Sequence, residues 1–139
     1  MTSPREPSDE AVRRVVVVED DAFQALWLAR LLERNGYDVD GPFYDARTAL
    51  RAIESDPPDA AILDLDLRGS RRGAPETCAE VARSLDTWSV PYILYTSHDR
   101  IGLITPGQPP ARRLFKPSSD EALLEAVGGL FARENLIPA

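Results

Sequence analysis

The chain has a single cysteine, Cys78, a single histidine, His98, and no apolar run approaching the ~18 residues of a membrane-crossing helix. One cysteine excludes an intramolecular disulfide, so no oxidising compartment is required. The first ten residues have no apolar centre of the kind a secretory signal carries. Positive charge is also scarce: 16 Lys and Arg stand against 23 Asp and Glu, a net charge of −7. A nucleic-acid surface needs cations to displace condensed counterions, so nucleic acid is not expected as a direct partner. A small anionic ligand stays open, because a local cation or helix N-terminus overrides the global field. Together these absences predict a cytoplasmic chain with no membrane insertion.

What is present fits one globular domain: 139 residues, 43% hydrophobic and 28% charged. Residues 1–12 are polar, carry Pro4 and Pro7, and read as a disordered tail ahead of a domain over 13–139. Arg14 and the valines 15–18 form a short β-branched run, the pattern of a strand buried on both faces. A helix is expected from about Asp21 to Asn35, stopped by Gly36. A strand around Tyr37–Asp40 and a helix over about Asp45–Ser55 follow. Ala60–Leu63 reads as a second buried strand and Pro75–Asp86 as a third helix, with Pro75 in its first turn. Strands are expected at Tyr92–Tyr95 and about Arg112–Phe115, then a last helix over about Ser118–Glu134, capped by Ser118 or Ser119. Alternating strands and helices predict an α/β fold with a doubly wound, five-stranded parallel sheet of order 2-1-3-4-5.

In that order, ligands gather beyond the carboxyl ends of the strands. The residues that fall there are Glu19 and Asp20 after the first strand, Asp64 after the third, Thr96 at the fourth and Lys116 at the fifth. Three clustered carboxylates repel one another unless a cation neutralises them, and oxygen donors suit Mg²⁺. Asp64 then remains available as a nucleophile toward phosphorus, a route that yields an acyl phosphate. Lys116 supplies positive charge to the transferring oxygens and Thr96 a hydrogen bond.

The motifs Val-Val-Glu-Asp-Asp, Ile-Leu-Asp-Leu-Asp-Leu, Leu-Tyr-Thr-Ser and Phe-Lys-Pro occur in order over residues 13–135. In this the chain resembles the receiver domain of bacterial two-component response regulators, in particular stand-alone receivers whose fourth helix is reduced or replaced by a loop. The resemblance implies Asp64 as phosphoacceptor and Glu19 and Asp20 as the acidic pair. It further implies the main-chain carbonyl of Asp66 as an additional Mg²⁺ ligand, Thr96 as the switch hydroxyl, and Lys116 followed by a cis proline, Pro117. A sensor histidine kinase or phosphotransfer protein is the implied phosphodonor, and output by protein contact is the implied signal. The chain ends at Ala139, just past the last helix, which fits a regulator with no output domain and equally a domain cut from a longer protein.

Several positions depart from that pattern. Arg113 stands where an aromatic is common in the fifth strand, and Arg68 replaces a common proline. Between Thr96 and Lys116 the segment is broken by Gly102, Pro106, Gly107, Pro109 and Pro110, leaving room for a turn at most. Other readings compete for some residues. Asp64-Leu65-Asp66 resembles the Asp-x-Asp of haloacid-dehalogenase-type phosphatases, which set that pair after their first strand. A receiver-like adaptor that binds without being phosphorylated is the main alternative. His98 reads as a loop side chain near the site, Cys78 as a small core or boundary residue, and Arg68, Arg71 and Arg72 as a basic loop. On the first helix, Trp27, Leu28, Leu31 and Leu32 form a core stripe. Phe23, Leu26 and Ala29 widen it toward a face that, with Trp27, a partner helix can cover.

Overall fold

A computed structural model describes residues 12–64, 66–67, 76–77, 79–97 and 113–135. Among the described residues, seven strands and four helices follow one another: β1 (Arg14–Val18), α1 (Ala22–Arg34), β2 (Asp38–Phe43), α2 (Ala46–Ser55), β3 (Ala60–Asp64), β4 (Asp66–Leu67), β5 (Glu76–Thr77), α3 (Ala79–Thr87), β6 (Tyr92–Thr96), β7 (Arg113–Phe115) and α4 (Asp120–Asn135). Five of the strands form a parallel sheet in the order β2-β1-β3-β6-β7. With the two-residue strands set aside, this is the expected 2-1-3-4-5.

The valine run explains the middle of the sheet. Successive side chains of a strand point to opposite faces, so a strand between two helical layers must be apolar throughout. Val15 and Val17 join Leu28, Leu32, Ile62, Leu123 and Val127 under α1 and α4. Val16 and Val18 join Ile53, Leu63, Val81 and Leu85 under α2 and α3. The registers Val18↔Leu63 and Asp64↔Tyr95 keep the strand tips level, so the residues that follow them emerge side by side.

The helix boundaries follow from local capping. The Asp21 carboxylate accepts from the amides of Phe23 and Gln24, and that of Asp45 accepts from Thr48, each satisfying donors that open a helix. Gly36 ends α1 with a φ of +91°, a conformation glycine adopts without strain. Ser119 takes the same role for α4, its Oγ accepting from the Ala122 amide at 3.0 Å. The last helix therefore begins at Asp120, with Ser119 outside it as cap.

Two boundaries differ from the sequence reading. β2 continues to Phe43 through Gly41-Pro42, a pair that reads as a break. It survives because β2 is an edge strand, where a proline forfeits no ladder bond, and because Gly41 takes a φ of +107° at an irregularity in the β1–β2 register. Glu76–Thr77, expected in the first turn of the third helix, instead pairs antiparallel with Asp66–Leu67. Its backbone groups are met by that ladder, and the helix starts only at Ala79. The tail over 1–11, the segment 98–112 with its expected loop, and Cys78 lie outside the described residues.

Candidate functional site

The strand tips deliver the expected side chains to one rim of the sheet. Glu19 is the first residue past β1. Its backbone amide donates to the Phe43 carbonyl at 2.9 Å, and its Oε2 accepts from the Asp21 amide at 3.1 Å. Asp20 follows, half-buried, and Asp64 closes β3 with only 7% of its surface exposed. Each of the three offers a carboxylate oxygen, and these oxygens lie within 4.8 Å of one another. Thr96 ends β6, buried, its Oγ1 donating to the Ser97 carbonyl at 3.3 Å.

Lys116 arrives from the far strand. Its amide donates to the Thr96 carbonyl at 2.7 Å, which ties the residue after β7 to the tip of β6. From there Nζ reaches Glu19 Oε1 at 3.0 Å and Asp64 Oδ1 at 3.4 Å. Burial pushes against its charge and is the largest single influence, yet Asp64 and Glu19 together outweigh it, and the lysine pKa is raised above 10.5. The ammonium is thus held charged between the two carboxylates. It is the only lysine in the chain, every other basic side chain being arginine. A compact ammonium fits a point between two acids where a planar five-donor fork demands more room. The Lys116–Pro117 peptide is cis, as expected.

Four of the five side chains singled out at the strand tips are therefore brought together, and Thr96 is tied to Lys116 through the backbone at the neighbouring tip. Asp66 lies in β4, two residues past Asp64, with its backbone among the described residues. Arg113, the residue in the usual aromatic position, pairs with Leu94 and is half-buried. His98 and the arginines 68, 71 and 72 lie outside the described residues.

The site also has members that sequence reasoning missed. Tyr95, almost wholly buried, places its ring centroid 5.2 Å from Lys116 Nζ, within cation–π range. Its hydroxyl lies 3.3 Å from Ser118 Oγ, and its ring stands 6.3 Å from that of Trp27. Trp27, expected in the core stripe, is only half-buried and donates its indole N–H to Asp120 Oδ1 at 2.9 Å. Strand alternation was the available signal: a tyrosine next to Thr96 must face the opposite side of the sheet and find a partner for its hydroxyl there. On α1, Leu28, Leu31 and Leu32 are buried as expected; Ala29, expected on the neighbouring arc, is buried as well, which leaves the exposed arc to Phe23 at 86% and Leu26 at 48%.

Residues 15–128 match the family of the response regulator receiver domain. The chain belongs to that family. It is 35% identical over 83 residues to the transcriptional regulatory protein PdtaR of Mycobacterium tuberculosis, covering 59% of this receiver and 40% of PdtaR. The chain thus spans about two fifths of the length of that relative. Among solved structures, the signal receiver domain of a modulated diguanylate cyclase from Desulfovibrio desulfuricans superimposes with a TM-score of 0.75 at 27% identity, covering 90% of this chain and 98% of that one. The receiver domain of the PhyR response regulator from Erythrobacter litoralis gives 0.75 at 20% identity over 92% of this chain and 96% of that one, a likeness of fold. Receiver domains of response regulators are signalling modules of two-component systems. Among the described residues, no helix is long and apolar enough to cross a membrane.

Proposed function

We propose that this receiver takes a phosphoryl group from a histidine kinase or phosphotransfer protein onto Asp64, and signals by protein contacts that depend on that modification. The observation that carries the reading is the meeting of three carboxylates with one ammonium at 3.0 and 3.4 Å. A fold used only for binding has no need to bury such a repulsive cluster. Residues 13–139 act as one unit in this reading, placed in the cytoplasm.

The donor set fits Mg²⁺: three hard carboxylate oxygens that lie close together. Glu19, Asp20 and Asp64, with the Asp66 main-chain carbonyl, are the residues that would hold it. When bound, the ion supplies positive charge that offsets the acids and the phosphoryl oxygens. An Asp64 carboxylate oxygen attacks phosphorus in line as the bond to the donor's imidazole nitrogen breaks, giving an aspartyl phosphate. Lys116 already faces Asp64 and pairs with the new charge, and the Thr96 hydroxyl turns from the Ser97 carbonyl to a phosphoryl oxygen.

Incubation with Mg²⁺ and acetyl phosphate should add the mass of one phosphoryl group to the wild-type chain and none to Asp64→Ala. Absence of labelling in the wild type would favour the adaptor reading. The donor is placed on the exposed arc of α1. Phe23→Asp is therefore expected to slow transfer from the cognate kinase at least about tenfold, the penalty of ~1.4 kcal/mol that one lost apolar contact readily reaches. Labelling by acetyl phosphate should be unchanged in that variant; an equal loss of both would place Phe23 in the chemistry and not in docking.

A further inference from the structure

Lys116 meets carboxylates on one side and the ring of Tyr95 on the other. That ring belongs to the cluster under α1 and α4, while its chain neighbour Leu94 packs in the opposite layer. Tyr95 thus reaches from the ammonium toward the helices. Its hydroxyl meets Ser118, just ahead of α4, and its ring faces Trp27, which is tied to Asp120 in the first turn of α4. Phe23, Gln24, Trp27, Tyr95, Lys116 and Ser118 line a common groove of about 630 Å³ between α1 and the start of α4. One wall of the groove is therefore the same lysine that pairs with Asp64.

We propose that Tyr95 is a positioning residue that couples the state of Asp64 to the shape of this groove. The inference rests on Asp64 as phosphoacceptor. A phosphoryl group there brings more negative charge than the carboxylate it caps, and it competes with Glu19 and the Tyr95 ring for one ammonium. Attraction between a cation and a ring face falls off within a few ångströms, so a shift of Nζ toward phosphate loosens its hold on the ring. The ring then resettles against Trp27 and Ser118, which are its other fixed contacts. Linkage makes the coupling reciprocal: whatever occupies the groove more tightly in one state biases Asp64 toward that state. The route runs on the α1–α4 side of the sheet, opposite the face on which Leu94 packs, and makes no use of Arg113.

Two tryptophans make the idea testable on the whole protein. The indole N–H signals of Trp27 and Trp88 are assigned with Trp88→Phe and followed while Mg²⁺ and beryllofluoride are added. Fluorine spectra report separately whether beryllofluoride occupies the site. The expected result is a saturable shift of the Trp27 signal with Trp88, beyond the far end of α3, unmoved. That shift should be lost in Tyr95→Leu and retained in Tyr95→Phe, which keeps the ring. A bound-fluoride signal with Trp27 unmoved overturns the inference while leaving Asp64 as acceptor. Absence of bound fluoride in the wild type overturns the reading of Asp64 itself. Equal movement of both indoles, or persistence of the Trp27 shift in a folded Tyr95→Leu, also overturns the coupling. Should Tyr95→Leu not fold, Tyr95→Met, which also lacks the ring, takes its place in the same titration, with the same outcomes for and against.

Discussion

Glu19 and Asp64 are both buried, and the ammonium of Lys116 stands within ion-pair distance of each. Removing one partner of a buried pair costs more than the pair contributes, since the remaining charge loses its counterion without regaining water. Lys116→Met should therefore destabilise the Mg²⁺-free protein by about 3–5 kcal/mol in urea unfolding. The pH dependence has a defined sign. Because the folded-state pKa of Lys116 lies above its ordinary 10.5, its contribution is complete below that value and fades as pH rises through the raised one. The difference between wild type and Lys116→Met should stay level from neutral pH to about pH 10 and shrink above it. At this scale Glu19, Asp20, Asp64, Thr96 and Lys116 were legible in the sequence because a strand tip fixes where its last residue emerges. The place of Tyr95 and the bond from Trp27 to Asp120 were not, because they depend on how α1 and α4 settle beside each other, which no spacing within a strand records.

Among the elements, β2 shows how a local rule yields to its setting. Gly41 holds a φ of +107°, and a Cβ built there would stand 2.8 Å from the Phe43 amide nitrogen and 3.1 Å from the Val17 carbonyl. Gly41→Ala should cost more than about 1 kcal/mol, through both strain and backbone collision. The same variant should disturb Glu19, whose amide bonds the Phe43 carbonyl, and weaken metal binding along with stability. Gly129, in the middle of α4, has nothing within 4 Å of such a Cβ. Gly129→Ala is expected to stabilise by roughly 0.5–1 kcal/mol, so paired denaturation curves should move in opposite directions. The long apolar runs of β1 and β3 and the capped helices could be read from the sequence, since propensity and burial agree there. The Gly-Pro within β2 and the Glu76–Thr77 strand could not, because each is held by a neighbouring strand and not by its own residues.

For the molecule as a whole, an excess of acid and a rim of three close carboxylates would link folding to the binding of a cation at the proposed site. An ion that binds only the folded state adds about 2.7 kcal/mol when present at a hundred times its dissociation constant. Titrating Mg²⁺ should raise the melting temperature of the wild type with that logarithmic dependence. An Asp20→Asn variant should start from a higher metal-free value and respond less, because it removes repulsion together with a ligand and leaves the Glu19–Lys116 pair in place. The topology that assembles this rim was readable in outline, as alternating strands and helices permit few arrangements.

The solitary lysine has one more consequence, for chemistry applied from outside. A carbodiimide joins a carboxylate to an amine with loss of water, and Lys116 carries the only side-chain amine, 3.0 Å from Glu19. The resulting isopeptide would bridge positions 97 residues apart and clasp the tips of β1 and β7. A closed loop of that length restricts the unfolded chain by about 4–5 kcal/mol. The lysine held between the acids is thus also the place where the whole fold can be buckled shut.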